Sequence, residues 1–205
     1  MLTCNCFVAA ERVHAHDKSM MIVNENFLIL PFFFIFTKIY DFETIEKIFC
    51  MDAKEIICRV EVLSWNELNE QERRLIDEAK RATEGSYSPY SKFAVGAALL
   101  LENGVVVRGS NQENVSYPCG LCAERTALYY ANATYPDQPV RLLAIAARNA
   151  EGFLSSPITP CGACRQSLLE TENRFGKPIS VLLYGEQKIY RLRSIASLLP
   201  LQFEM

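Results

Sequence analysis

Histidine is nearly absent from this 205-residue chain. There are two, His14 and His16, and none in the following 189 residues. Any site in the body of the protein must therefore do its acid–base work and bind metal without imidazole, which excludes Ser–His and Cys–His catalysis and His-rich zinc sites there. A basic excess is also missing: 21 Lys and Arg stand against 24 Asp and Glu, and the formal net charge is −3. No general electrostatic pull toward nucleic acid or an anionic membrane follows from such a balance. Long apolar runs are lacking as well. The best candidate, residues 27–36, is much shorter than the roughly 20 residues a spanning helix needs. No compact basic stretch precedes that run, and Thr37-Lys38-Ile39-Tyr40-Asp41 follows where small cleavage-site residues would stand, so it makes a poor signal peptide. The expectation is a cytoplasmic protein with neither a membrane nor a nucleic acid as partner.

Half the residues are hydrophobic and 22% are charged, a globular balance. Composition breaks near residue 50, because eight of the twelve phenylalanines fall before it. Met51-Asp-Ala-Lys-Glu reads as the start of a soluble domain. Residues 1–50 are accordingly read as an atypical Phe-rich extension, either disordered or an artefact of the gene model, and residues 51–205 as the functional domain. Cys4, Cys6, His14 and His16 in the extension make only a weak metal motif.

After the break, helical and strand patterns alternate. Asn69 with Glu72 forms a variant of the capping box and opens a helix through about Thr83, its apolar stripe made by Leu75, Ile76, Ala79 and Ala82. Residues 95–101 and 105–109 read as strands joined by a two-residue Asn103-Gly104 turn. Pro118 and Gly120 lead into a second helix, and residues 142–147 form the continuous apolar run of a central strand. A third helix follows Pro160. A strand at 179–184, an edge strand near Tyr190, and a short helix capped by Ser194 and stopped by Pro200 complete the pattern. The expected fold is α/β, a three-layer α-β-α domain with a mixed, roughly five-stranded sheet.

Cys119-Gly-Leu-Cys122 and Cys161-Gly-Ala-Cys164 supply the chemistry. Disulfides are disfavoured where thiols stay reduced. A closed four-cysteine structural zinc site, and with it a zinc-stabilised binding module, is one reading. The other is a catalytic zinc with three cysteine ligands and an open position. The second gives a role to Glu124: Cys122-x-Glu124 … Pro160-Cys161-x-x-Cys164 is the cysteine form of the zinc deaminase signature, in which the glutamate is an acid/base and not a ligand. Cys161 and Cys164 share a helix face at i and i+3, and helix N-termini favour thiolates.

Cys122-Ala-Glu-Arg-Thr126 and Pro160-Cys-Gly-Ala-Cys-Arg-Gln166 resemble the small homotetrameric cytidine deaminases. So do Tyr87-Ser-Pro-Tyr-Ser-Lys-Phe93-Ala-Val-Gly-Ala-Ala98, Asn111-Gln-Glu113-Asn-Val-Ser-Tyr117-Pro118 and Leu198-Leu-Pro-Leu-Gln-Phe203, so that the resemblance covers about residues 69–203. It implies one Zn²⁺ per chain on Cys122, Cys161 and Cys164, with Cys119 left as a non-ligating thiol. Attack by zinc hydroxide at C4 of cytidine or deoxycytidine, with Glu124 as proton shuttle, would give the uracil nucleoside and ammonia in pyrimidine salvage. Asn111 and Glu113 would hold the ribose 3′-hydroxyl, and Phe93 would pack on the pyrimidine. Tyr117 falls among the substrate-binding residues, and Ala123 would meet the base through its backbone. Phe203 is similar to the aromatic that a neighbouring subunit inserts over the base, and Arg125 to the arginine that hydrogen-bonds the thiolates. Without the resemblance, Asn111 and Glu113 also read as loop residues capping a helix, Phe93 as core, and Arg125 and Arg165 as surface charges. A cytosine-bearing antibiotic nucleoside is an alternative substrate. Nucleic-acid editing is disfavoured, because residues 51–205 hold no excess of Lys and Arg over Asp and Glu.

Overall fold

The apolar run that the sequence places at the centre of the sheet is the strand on which the others assemble. In a computed structural model, which describes residues 56–203, this strand is β4, Val140–Asn149. Around it lie β1 (Glu61–Leu63), β2 (Ala94–Leu101), β3 (Val106–Ser110), β5 (Gly152–Phe153), β6 (Ser180–Tyr184) and β7 (Ile189–Leu192). The sheet order is β1-β7-β6-β4-β2-β3, with β5 pairing to β4 outside that path. Only β4 and β6 run parallel; every other pair is antiparallel.

Residue alternation splits the core into two layers. Helix α1, Glu70–Ala82, buries Leu75, Ile76 and Ala79 against Ala98, Leu100, Ala144, Ala146 and Leu182 on one face. Helices α2, Ala123–Thr134, and α3, Gly162–Phe175, cover the other face, where Ala127, Leu128, Leu168 and Leu169 meet Ala97, Leu99, Leu143, Ile145 and Leu183. The α-β-α arrangement is thus the expected one. The expected capping box is present too: the Asn69 side chain accepts from the Glu72 N–H at 2.9 Å, and Glu72 accepts from the Asn69 N–H at 3.0 Å.

Three details differ from the sequence reading. The sheet has seven strands, because β1 and β5 span three and two residues, too short for a period-2 pattern to register. As a result β7 is covered by β1 and is not an edge. The β2–β3 hairpin closes through three residues, Glu102, Asn103 and Gly104: Leu101 N–H donates to the Val105 carbonyl at 2.9 Å, and Gly104 N–H donates back to Leu101 at 3.0 Å. Gly104 has φ +85°, the left-handed conformation that a three-residue hairpin places on glycine. The extension, with Cys4, Cys6, His14 and His16, lies outside the described residues, as do residues 51–55.

The layer carrying α2 and α3 also fixes where these helices begin. Gly109 on β3 lets α2 rest directly on the strand. A Cβ there would fall 2.4 Å from the Ala127 nitrogen and 2.5 Å from the Ala123 carbonyl oxygen. The N-termini of α2 and α3 come together, their N-cap residues Cys122 and Cys161 meeting through their sulfurs.

Candidate active site

Cys122 and Cys161 are the N-cap residues of α2 and α3, and Cys164 lies in the first turn of α3. Neither N-cap cysteine makes a side-chain cap hydrogen bond, so both sulfurs are free to point between the helices. The Sγ atoms of Cys122 and Cys161 stand 3.8 Å apart, those of Cys161 and Cys164 3.4 Å, and all three lie within 4.8 Å of one another. Three thiolates on a tetrahedral Zn²⁺, with Zn–S about 2.3 Å, would be separated by about 3.8 Å. The soft donor set and its spacing therefore fit zinc, with the fourth position not taken by a side chain of this trio.

Cys119 stands outside the trio. It is exposed, and its sulfur approaches Ser116 Oγ at 3.5 Å. Among the described residues, the group of potential ligands is Cys122, Cys161 and Cys164 alone. The closed four-cysteine reading fails on this geometry.

Charge in the cluster is graded. The hydrogen bond from the Cys164 thiol, supported by Arg125 and Cys161, holds Cys122 well below the usual thiol range, although burial opposes it. Arg125 Nη2 reaches Cys122 Sγ at 3.9 Å, one turn along α2. Glu124, two residues after Cys122, is only 4% exposed. Its burial pushes the carboxyl above its ordinary range, and the negative charge at Cys122 adds to that push. A buried carboxyl with a raised proton affinity, beside sulfurs that could hold a metal, is a candidate general acid–base. Ala123, immediately before it, is fully buried at the start of α2.

Phe93, Asn111, Glu113 and Tyr117 form a second group, built around the loop between α1 and β2. Asn111, which follows β3, uses its amide three times. Nδ2 donates to the Phe93 carbonyl at 2.9 Å, while Oδ1 accepts from the Val95 N–H at 2.8 Å and from Ser86 Oγ. Glu113 Oε2 accepts from the N–H groups of Tyr90 at 2.9 Å and Ser91 at 3.2 Å. The Ser91 hydroxyl, followed by these backbone donors and Lys92, holds its carboxyl below the ordinary range. Lys92 sits at φ +55°, strained for a non-glycine residue, directly before the half-buried Phe93. The structure thus ties Asn111 and Glu113 to the Phe93 loop, a pairing that sequence spacing alone does not reveal.

Tyr117 is 79% exposed and meets Tyr90 edge to face at 6.5 Å. Phe203 is 72% exposed. Arg165, which in sequence is open to a surface reading, instead donates through its guanidinium to the Pro160 carbonyl, the Thr159 hydroxyl and the Leu198 carbonyl, a role set by tertiary approach and carried by no local motif.

Residues 69–175 match the family model described as the cytidine and deoxycytidylate deaminase zinc-binding region. The chain belongs to this deaminase family. Its membership makes it a hydrolytic deaminase with zinc as the metal, and the trio Cys122, Cys161 and Cys164 can hold that ion. It is 48% identical over 96 residues to a cytidine deaminase of Halalkalibacterium halodurans, spanning 47% of this chain and 68% of that one. Its structure is similar to that of cytidine deaminase from Burkholderia pseudomallei, with TM-score 0.55 and 41% identity over 66% of this chain and all of the other. The cytidine deaminase from Mycobacterium tuberculosis is similar at TM-score 0.53 and 34% identity, over 67% of this chain and 100% of that one. Among the described residues, no helix is long and apolar enough to cross a membrane.

Proposed function

We propose that this deaminase converts free cytidine and deoxycytidine, with one water, to uridine and deoxyuridine plus ammonia, using one zinc per chain. The observation that carries the reading is the convergence of three sulfurs beside a buried Glu124, with Cys119 outside the cluster. When bound, zinc contributes the acidification of the attacking water, a weaker effect with three thiolates than with neutral imidazoles.

The surrounding residues offset that weakness. Arg125 and the N-termini of α2 and α3 bring positive potential to a site whose metal and thiolates sum to −1. Glu124 takes one proton of the water and passes it to N3 of the base. It then takes the second from the hydroxyl added at C4 and delivers it to the departing amine, so that the C4–N bond breaks with release of ammonia and the oxygen stays as the carbonyl. A positioned acid–base of this kind contributes about 10²–10⁴-fold. Phe93 packs on the pyrimidine, and Ala123 meets the base through its backbone. Asn111 and Glu113 serve the ribose 3′-hydroxyl while bracing the Phe93 loop. Arg125 restrains the thiolates. Tyr117 and Phe203 line the substrate region, with Phe203 reaching the site of a neighbouring subunit in a homotetramer. The enzyme would serve pyrimidine salvage in the cytoplasm, with residues 51–205 as the working domain and residues 1–50 as an extension outside it.

The test is an ultraviolet time course with cytidine, run on purified, metal-analysed full-length protein alongside Glu124→Gln. Loss of cytidine absorbance with stoichiometric ammonia release is expected from the wild type, and retained zinc without turnover from the variant. Fully zinc-loaded wild type that leaves cytidine, deoxycytidine and other cytosine nucleosides unchanged would sink the reading.

A further inference from the structure

Helix α3 delivers two of the three sulfurs, and the same helix grips the C-terminal segment. Arg165, one residue past Cys164, turns its guanidinium back over the helix start. Nε donates to the Pro160 carbonyl at 2.8 Å and Nη2 to Thr159 Oγ1 at 3.1 Å, so the two residues before Cys161 are both held. Nη1 donates to the Leu198 carbonyl at 2.9 Å, the last residue of the 3₁₀ turn Ile195–Leu198. Two turns further along α3, Glu172 accepts from Ser194 Oγ and from the Ile195 N–H at 3.0 Å. The 3₁₀ turn is thus fastened to α3 at both ends.

The two fastenings differ in what they reach. Glu172 also accepts from the Ile179 N–H at 2.8 Å, at the far end of the helix from the sulfurs. Arg165 reaches both the loop entering Cys161 and the chain that continues to Phe203. None of its three acceptors is a carboxylate, so its charge is not neutralised by these contacts. A planar fork suits this arrangement, because its donors are fixed in one plane and reach acceptors on separate segments, which a lysine ammonium on a flexible stem cannot do.

We infer that Arg165 is a positioning residue that sets the Cys161 loop and the C-terminal segment 199–203 as one mechanical unit. Order at the metal is thereby coupled to order in the stretch carrying Phe203. The catalytic consequence rests on the deaminase reading above; the mechanical coupling does not.

The experiment compares zinc-loaded full-length wild type, Arg165→Lys and Thr159→Val by three readouts: zinc release to a chromogenic chelator, hydrogen exchange by mass spectrometry, and KM and kcat for cytidine. Arg165→Lys is expected to release zinc on the order of 10-fold faster. Exchange should rise in peptides covering 158–162 and 196–203 with the rest unchanged, and KM should rise by a larger factor than kcat falls. Thr159→Val, which removes one acceptor and leaves the Leu198 contact, is expected to speed zinc release by a smaller factor without raising exchange in 196–203. Wild-type zinc release from both variants overturns the inference. So does an exchange increase in Arg165→Lys that is uniform, or that is confined to 158–162. Should Arg165→Lys fail to fold, wild type decides: stripping the zinc should raise exchange in 196–203 as well as in 158–162, and an increase confined to 158–162 overturns the inference. A wild type with no turnover would sink the deaminase reading, while zinc release and exchange would still decide the coupling.

Discussion

Cys119 and Cys122 stand three residues apart and face different ways: the Cys119 sulfur meets Ser116 Oγ at 3.5 Å, whereas the Cys122 sulfur meets Cys161 at 3.8 Å. The intervening Gly120 is extended, at φ −66° and ψ 148°, which carries the first thiol away from the second. Cys119→Ala should therefore keep about one zinc per chain and wild-type turnover, whereas Cys122→Ala should lose the metal. Metal analysis of purified variants, paired with the cytidine assay, checks both. Zinc loss from Cys119→Ala would return the closed four-cysteine site to contention.

Gly109→Ala should separate α2 from β3. The added carbon would lie 2.4 Å from a backbone nitrogen of α2, and backbone cannot step aside as the end of a side chain can. Overpacking of this kind costs about 1–3 kcal/mol. Zinc content should fall with stability, because Cys122 caps the displaced helix. Gly162→Ala is the control: it lies in the first turn of α3 beside Cys161, yet an added Cβ meets nothing within 4 Å. Denaturant unfolding with metal analysis should show the first variant destabilised and the second close to wild type.

Asn111→Asp tests the bracing of the Phe93 loop. The acceptor toward Val95 and Ser86 is retained, but the donor to the Phe93 carbonyl is replaced by an oxygen that faces another oxygen. Removing one partner of such a bond typically costs about 1–3 kcal/mol. The cytidine KM should rise, and thermal stability should fall. An unchanged KM with lowered stability would limit Asn111 to a structural role.

Glu61 gives a pH prediction far from the metal. The side chains of Arg191 and Arg193 hydrogen-bond its carboxylate and hold it below the ordinary glutamate range. A depressed carboxylate stabilises the fold above its unfolded pKa and loses that contribution as pH falls through its folded pKa. Attachment of β1 to β7 should thus be intact at neutral pH and weaken on acidification below about pH 4.3, the unperturbed value. Because the Glu61 side chain is 37% exposed, the effect is small and fades with salt. Glu61→Gln should lower stability at neutral pH, and its difference from wild type should shrink as the pH falls through the folded-state pKa of Glu61, as followed by hydrogen exchange of residues 61–63.

Much of this architecture is legible in the sequence because local and tertiary signals agree. The Asn69–Glu72 box, the apolar run of β4 and the cysteine spacing each carry their meaning within a few residues. The metal trio is readable because helix starts fix where N-cap side chains point. What escapes is whatever tertiary approach decides. β1 and β5 are too short to show a period, and β7 ceases to be an edge only because β1 arrives from over 120 residues away. Asn111 and Arg165 are ambiguous in sequence for the same reason: their partners are backbone groups and hydroxyls that only the fold brings within reach, which spacing does not distinguish.

Cys122 and Cys161 cap two different helices and are 39 residues apart in the chain. A metal shared between them is therefore a covalent-like closure of a loop that includes all of α2 and β4. By the chain-entropy model for cross-links, closing a loop of that length removes roughly 4 kcal/mol of freedom from the unfolded chain. The ion that would activate water is by position also a clasp, and a chelator would act on this fold much as a reductant acts on a disulfide-bridged one.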